Sequence, residues 1–426
     1  MKLKYGINDR PKTGDLILYS LQWFLLSIAV VVTSIFIATG SPAERVLYAQ
    51  KVFALMGVAT IVQSLWGHRL PIVVGPAAVL LVGIITALAS QGEQINTNKI
   101  YTAIAIGGMV ITALSMGRWL ERLQSIFTPR TVVVILMLIA FTLCPTIKNL
   151  IFPATEAERH IFGLLFTLLG IPAMALAAAR LQGIIKSLVV PIALFVGYVI
   201  YYAVYGDFGQ VFEKYSHSEG DIFLPAIEFD GSMIIAFLLC YVALLINDIG
   251  SIQGLGAMLQ TTDTDKRCRR GVGFTGIFNI IAGSLGIIGP VNFSMSPGVI
   301  GSSSCASRYA LIPAGVGLVI CALSPSLIAL FSAIPDPVIG VILLYLMGTQ
   351  LAASFHIMTA DKSASTFDDG LILGLPLMVA ILFTAIPMDV IPQIIRPIMG
   401  NGFVMGVLTV MLLEHIIFKK PQQKGQ

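Results

Sequence analysis

The chain has 426 residues, 56% hydrophobic and only 11% charged, with a mean hydropathy of +0.89 and a net charge of +4. Soluble domains carry about 25% charged residues, so this composition excludes a globular protein with a fully water-facing surface. It also excludes the dense basic face of a nucleic-acid binder, and five scattered cysteines supply neither a disulfide framework nor a zinc-ligand spacing.

Apolar runs of about 20 residues recur from end to end, each long enough to cross the hydrocarbon core as a helix. A polar segment, 1–14, precedes the first run, which is too long for a signal-peptide core and lacks a small-residue cleavage site. No cleavable leader is expected. In chain order the spacing predicts helices at 15–38, 45–66, 75–90, 97–117, 131–152, 161–180, 183–205, 232–250, 272–288, 296–309, 311–332, 337–354, 370–388 and 399–418. That is an all-α polytopic membrane protein with about 14 transmembrane helices. The organisation expected is an N-terminal segment 1–14, a first repeat 15–205, an extracytoplasmic loop 206–231, a second repeat 232–418 and a tail 419–426.

Alternate loops fall on opposite sides of the bilayer. One side collects most of the 26 Lys and Arg residues, including Arg10, Lys12, Arg69, Arg118, Arg122, Arg130, Arg180, Lys186, Lys266, Arg267, Arg269 and Arg270. The positive-inside rule makes that side cytoplasmic, with both termini inside. An inner (cytoplasmic) membrane location follows. The basic run Lys266–Arg270 reads as a topology signal that can touch anionic lipid, not as a nucleic-acid site.

Two segments are unlike ordinary spans. Arg69-Leu-Pro-Ile-Val-Val-Gly-Pro76 and Gly286-Ile-Ile-Gly-Pro-Val-Asn-Phe-Ser-Met-Ser-Pro-Gly298 each run into a Gly-Pro pair between apolar stretches. Proline removes an amide donor and glycine permits a bend or close approach. Irregular backbone at membrane depth persists only where it is buried or lines a cavity. The two lie at the third and tenth predicted helices, equivalent positions in two halves of seven with inverted topology. Paired interrupted helices are the best sequence pointer to a transporter's binding site. Half-helices beginning near Ala77 and Pro297 would aim partly positive N-termini at it.

At these segments the chain resembles the nucleobase–ascorbate transporter family, the uracil and xanthine permeases. The motifs are Tyr5-Gly6 with Asp9-Arg10-Pro11, Gln63 with Gly67, Arg69 and Pro71, Ile249-Gly250, Phe293-Ser294 followed by Gly298, and Ile334-Pro335 with Pro337 and Gly340. The resemblance implies core and gate domains, a homodimer joined through the gates, and cation-coupled uptake, usually with protons. It implies a substrate site between helices three, eight and ten. Carried onto this sequence, those positions are Ala77 and Ala78, Asn247, and Ser294, Met295 and Ser296, with Trp23 available from helix one. The family's helix-eight glutamate falls on Asn247, its helix-ten Glu or Gln on Met295, and its helix-three aromatic near Ala78.

Asp248 is the acidic residue expected well inside a helix, where a carboxylate is costly and functional by default. It is the candidate for the coupling proton or another cation. It sits one residue past the family position, about 100° around the helix. His68 reads as a residue of a cytoplasmic loop with a surface role. Arg308 reads as a snorkelling or carbonyl-capping residue. No Walker loop, nucleophile elbow or His-Glu-x-x-His motif is present, so neither an enzyme nor a resident cofactor or metal is expected. The leading expectation is import of a small polar solute such as uracil or xanthine. The alternatives are an anion transporter of sulfate-permease type on the same fold, and a transporter-like ligand sensor.

Overall fold

The computed structural model describes residues 3–38, 40–91, 96–117, 120, 128–154, 157–216, 224–361, 363–387 and 390–418. The expected tail 419–426 and part of the 206–231 loop lie outside them. The described residues are mostly helical, with one small sheet among them. In order the elements are α1 (Thr13–Val32), α2 (Pro42–Leu65), β1 (Val74–Pro76), α3 (Ala78–Ser90), α4 (Thr97–Met116), α5 (Pro129–Thr142) and α6 (Cys144–Ile151). There follow α7 (His160–Arg180), α8 (Gly183–Ser187), α9 (Val189–Tyr205), α10 (Phe208–Ser216), α11 (Gly231–Met258) and α12 (Thr264–Leu285). Then come β2 (Pro290–Asn292), α13 (Ser296–Ser303), α14 (Leu311–Ala322), α15 (Pro325–Ser332), α16 (Asp336–Ala360), α17 (Phe367–Ala385), α18 (Arg396–Met399) and α19 (Gly402–Leu412).

Among the described residues, eight helical stretches are long and apolar enough to cross a membrane, or ten if each of two bent pairs is one span. The expected count of about 14 is not reached by length and apolarity alone. The reason is local. α3 and α13 are half-length helices extended by strands, and the first turns of α12 are charged. α12 starts at Thr264, eight residues before the hydropathy edge at 272, because the basic run Lys266–Arg270 forms helix rather than loop. The predicted 296–309 stops at Ser303, because Ser304 turns left-handed (φ 56°) and accepts the Lys4 amide. The predicted 311–332 bends by 93° between α14 and α15, where Ser324 caps α15. The 206–231 loop contains the short helix α10, turned 115° from α9.

Two groups of helices emerge from the packing. α2 lies along α14, and α4 lies along α12, with α1, α3, α11 and α13 joined to them. α5, α6, α7, α9, α16, α17 and α19 pack with one another. In the first group both close pairs join one half of the chain to the other. A β-carbon on Gly57 (α2) would meet the Gly315 carbonyl (α14) at 2.6 Å, and one on Gly315 would meet the Gly57 carbonyl at 2.8 Å. The same reciprocity holds for Gly108 (α4) and Gly276 (α12), at 2.8 and 2.9 Å. Small residues that let backbones touch are the usual means of helix association in lipid. Exchanging the two halves carries the pair α2·α14 onto α12·α4, as expected of an inverted repeat.

The second group is held by a buried charge cluster. Arg130 at the start of α5 pairs with Asp369 in the first turn of α17 and, at 3.1 Å, with Glu414 in the π-helical turn Leu413–Ile417 after α19. Both carboxylates are buried, so Asp248 is not alone in that condition. Outward faces are apolar: on α7, Ile161, Leu168 and Leu169 are exposed, a surface suited to lipid as solvent.

Candidate functional site

The two Gly-Pro breaks meet. β1 and β2 pair antiparallel in the register Val74↔Asn292, Gly75↔Val291 and Pro76↔Pro290. The ladder continues on both sides, with the Ala77 amide donating to the Gly289 carbonyl and the Phe293 amide donating to the Val73 carbonyl. Each break thus satisfies the backbone groups that the other leaves open. α3 and α13 depart from opposite ends of this ribbon, and neither first turn has a side-chain cap. The early N–H groups of α3 are therefore left without a cap, whereas in α13 Pro297 has no N–H and the Gly298 amide donates to the Met295 carbonyl. Gly75 is small because it must be: a β-carbon there would lie 2.6 Å from Val30 and 2.8 Å from the Phe293 ring.

α11 passes beside the ribbon and places Asn247, Asp248 and Ser251 against β2. Asp248, 0% exposed, accepts on Oδ1 from the Asn292 amide (3.0 Å) and from Asn292 Nδ2 (2.7 Å). Its Oδ2 makes no hydrogen bond of ordinary geometry among the described residues, and the Thr275 hydroxyl is the further side-chain donor that acts on the carboxylate. Ser251 Oγ reaches the Asn292 carbonyl (2.9 Å) and Ser294 Oγ (2.7 Å), and Ser294 Oγ donates to Asn247 Oδ1 (3.2 Å). β2 is braced from its far side by Asn279 of α12, whose Nδ2 donates to the Pro290 carbonyl at 3.0 Å.

Asn247 is half-buried and Ser294 is exposed. The Asn247 amide nitrogen has no partner among the described residues. Beyond them the cleft stays open along α11: nothing lies within 4 Å of a β-carbon on Gly250, Gly254 or Gly298. Asn247, Gly250, Gly254 and Ala257 share one stripe of the helix. The open end of the ribbon therefore offers a hydroxyl and an amide beside the half-buried Phe293 ring. Such a set can hydrogen-bond the edge of a small planar polar molecule and pack against its face.

The candidate residues read from the sequence fall into two sets. Asn247 and Ser294 touch each other at the cleft, with the half-buried Met295 and Ala78 nearby on the two breaks. Ala77, Ser296 and Trp23 are enclosed. Ser296 is 0% exposed, and its hydroxyl accepts from the Val73 amide (3.0 Å) and donates to the Phe293 carbonyl (3.2 Å), so it ties α13 to the approach of β1. Trp23, 1% exposed, belongs to a buried apolar cluster with Leu26, Leu70, Ile72 and, from α13, Val299 and Ile300.

His68 corrects the sequence expectation of a surface role. It is 0% exposed, its Nε2 lies 3.1 Å from Asn292 Oδ1, and its Nδ1 accepts from the Leu70 amide at 3.0 Å. The chain turns inward here because Arg69 adopts a left-handed φ of 56°, held by Arg267, which donates to the carbonyls of His68 and Arg69. Arg308 does cap carbonyls: its Nη1 donates to the Ser64 carbonyl at the end of α2. Sequence reasoning missed Ser251 and the central role of Asn292. The signal for Ser251 was its spacing of four from Asn247, the same helix face.

Comparison with known proteins gives the chain its family. The Permease family model (Xan_ur_permease) matches residues 14–389. Uric acid permease PucK of Bacillus subtilis is 24% identical over 90% of this chain and 90% of its own length. Xanthine permease XanP of Escherichia coli K12 is 23% identical over 99% of this chain and 96% of its own. Among solved structures, the transmembrane domain of the cyanobacterial bicarbonate transporter BicA superposes with a TM-score of 0.61 at 13% identity, covering 95% of this chain and 98% of that one. Murine Solute Carrier 26 family member A9 superposes with a TM-score of 0.62 at 13% identity, over 95% of this chain and 69% of that one. At that identity the likeness is one of fold. The crossed breaks, the helical membrane fold and a family match over most of the chain agree: this chain belongs to the permease family, as a multi-pass membrane transporter and not an enzyme.

Proposed function

We propose that this chain imports a nucleobase, with an oxidised purine such as xanthine or uric acid as the leading candidate and uracil as the pyrimidine alternative. The observation that carries the reading is the open Asn247–Ser294 pair, backed by the buried Ser251, at the crossed breaks of a permease-family chain. The relatives' names supply the substrate class. A purine dione presents alternating carbonyl and N–H groups, which an amide and a hydroxyl can match. Ala77, Ala78, Met295, Ser296 and Trp23 belong to the same reading as the shell around that cluster.

Asp248 is the proposed carrier of the coupling proton, supported by its burial beside the second break. The halves 15–205 and 232–418, with the segments 1–14, 206–231 and 419–426, form the proposed organisation. α1–α4 and α11–α14 would make the core, and the remaining spans the gate. A homodimer in the inner membrane with both termini cytoplasmic completes the reading, supported by the placement of the basic loops. The likeness to anion transporters is of fold alone and does not favour the sulfate-permease alternative.

The test is thermal stabilisation of detergent-purified protein with xanthine, urate, uracil, sulfate or bicarbonate, followed by uptake into proteoliposomes. A ligand at 100 times its dissociation constant stabilises by about 2.7 kcal/mol. Stabilisation and uptake with a nucleobase support the proposal. A response confined to the inorganic anions overturns it, and binding without uptake replaces transport with sensing.

A further inference from the structure

Asn292 is the hub of the site. Its backbone and side-chain N–H groups go to Asp248, its carbonyl receives Ser251, and its side-chain carbonyl faces His68. A primary amide has two orientations, and only one of them is compatible with both neighbours. Asp248 Oδ1 already accepts the Asn292 backbone N–H, so it is an acceptor whether or not Oδ2 carries a proton. The amide nitrogen must therefore face Asp248 and the oxygen must face His68. That orientation requires a donor on His68.

The imidazole is bound to supply one. A peptide N–H, that of Leu70, points at Nδ1 at 3.0 Å, so Nδ1 is the acceptor. In the neutral ring the proton then lies on Nε2, the nitrogen 3.1 Å from Asn292 Oδ1. Protonating Nδ1 would set two N–H groups against each other. The ring is thus locked as a neutral donor aimed at Asn292. Gln63, which reaches the Gly271 carbonyl and Thr275, and Arg267, which holds the His68 carbonyl, fix the turn that carries it.

We propose that His68 is a positioning residue for substrate binding: by fixing the amide of Asn292 it sets the place of β2 and hence of the Ser251–Ser294–Asn247 cluster. This rests on the reading of that cluster as the nucleobase site. His68 itself touches no substrate. Its influence passes through one side chain.

Two measurements test it. The first is the uptake of radiolabelled xanthine, urate and uracil by His68→Leu, His68→Gln, Asn292→Leu and the double variant His68→Leu/Asn292→Leu. His68→Leu is expected to raise KM about tenfold with the maximal rate within threefold. His68→Gln, which can accept from Leu70 and donate to Asn292, is expected to restore KM to within threefold of wild type. The double variant is expected to be no worse than Asn292→Leu alone, the non-additivity of residues acting through one contact. An unchanged KM in His68→Leu, failure of the glutamine to rescue, or additive losses overturn the proposal.

The second measurement needs no substrate. Nitrogen-15 spectra of histidine-labelled protein, with the His68 signal assigned by its loss in His68→Gln, are expected to show a neutral ring protonated on Nε2 and perturbed by Asn292→Leu. A ring protonated on Nδ1, or one indifferent to Asn292→Leu, overturns the proposal whatever is transported. If wild type takes up none of the three bases, the nucleobase reading fails, and these spectra alone decide the role of His68.

Discussion

Asn292 directs both its backbone N–H, at 3.0 Å, and its side-chain amide, at 2.7 Å, to the same oxygen of Asp248. One carboxylate oxygen thereby holds the second break in place. Structure and charge can be separated by substitution. Asp248→Leu leaves two buried donors without a partner and is expected to cost roughly 2–5 kcal/mol, seen as a large fall in thermal midpoint. Asp248→Asn keeps an acceptor for Asn292 and removes the charge. It is expected to fold with nearly wild-type stability but to lose uptake driven by an imposed pH gradient. Uptake by Asp248→Asn that still follows the gradient would assign coupling to another group.

Ser294→Ala removes a hydroxyl from the open end of the cluster, and Ser251→Ala removes the buried one behind it. Ser294→Ala is expected to stay within about 1 kcal/mol of wild-type stability, and Ser251→Ala, which strips the buried Asn292 carbonyl of a donor, to cost about 1–3 kcal/mol. Binding is expected to weaken about tenfold for each. Equilibrium binding of the stabilising nucleobase provides the check, and unchanged affinity in both variants would remove the cluster from the site.

The glycines divide into two kinds that look alike in the sequence. Gly108→Ala and Gly276→Ala put a methyl group within 3 Å of a neighbouring backbone and are expected to destabilise by about 1–3 kcal/mol. Gly298→Ala meets nothing within 4 Å and is expected to leave stability unchanged while narrowing the cleft. Thermal melts of the three variants side by side separate these outcomes.

Arg130 serves two buried carboxylates, those of Asp369 and Glu414. Arg130→Met is expected to cost about 3–5 kcal/mol by leaving buried charge unpaired. The triple variant Arg130→Met/Asp369→Asn/Glu414→Gln, which removes all three charges, is expected to recover much of that loss. Equal instability of the two would show that packing of the arginine, not its charge, matters.

Outside the spans, Glu228 accepts from Asn98 and Asn96, and these hydrogen bonds hold its carboxyl below the usual carboxylate range. The lowered folded value means that the attachment of segment 224–230 to the start of α4 is fully present above the unfolded pKa of about 4.3. It is lost as pH falls through the folded value. Protection factors in 224–230, taken from hydrogen exchange corrected for its intrinsic pH dependence, are expected to fall below about pH 4, and Glu228→Gln to abolish that fall. Equal protection factors at neutral and acid pH would contradict the attachment.

The breaks were legible in the sequence because Gly75-Pro76 and Gly289-Pro290 interrupt apolar runs at matching positions. Their pairing was not, because strands of three residues carry no period of two to read. Helix edges set by charge were misplaced at α12, where Lys266 to Arg270 are helical. His68 looked like a loop residue because burial there follows from the left-handed turn at Arg69, a backbone choice that side-chain chemistry does not announce. Asn247 was visible through a family motif, whereas Ser251 and Asn292 gained importance only when α11 and β2 were brought side by side.

The close contacts of the core have a consequence for synthesis. α2 finds its partner in α14, α4 in α12, and β1 in β2. Gln63 and the Gly271 carbonyl are 208 residues apart, and His68 and Asn292 are 224 apart. At about 5–20 residues per second, such a gap takes roughly 10–40 s to translate. For that interval the first half waits in the bilayer with its glycine faces against lipid and the broken backbone of 69–77 unsatisfied by its later mate. An insertase or chaperone that shields helix faces would act on this nascent chain before residue 290 emerges, and would have nothing left to hold once β2 arrives.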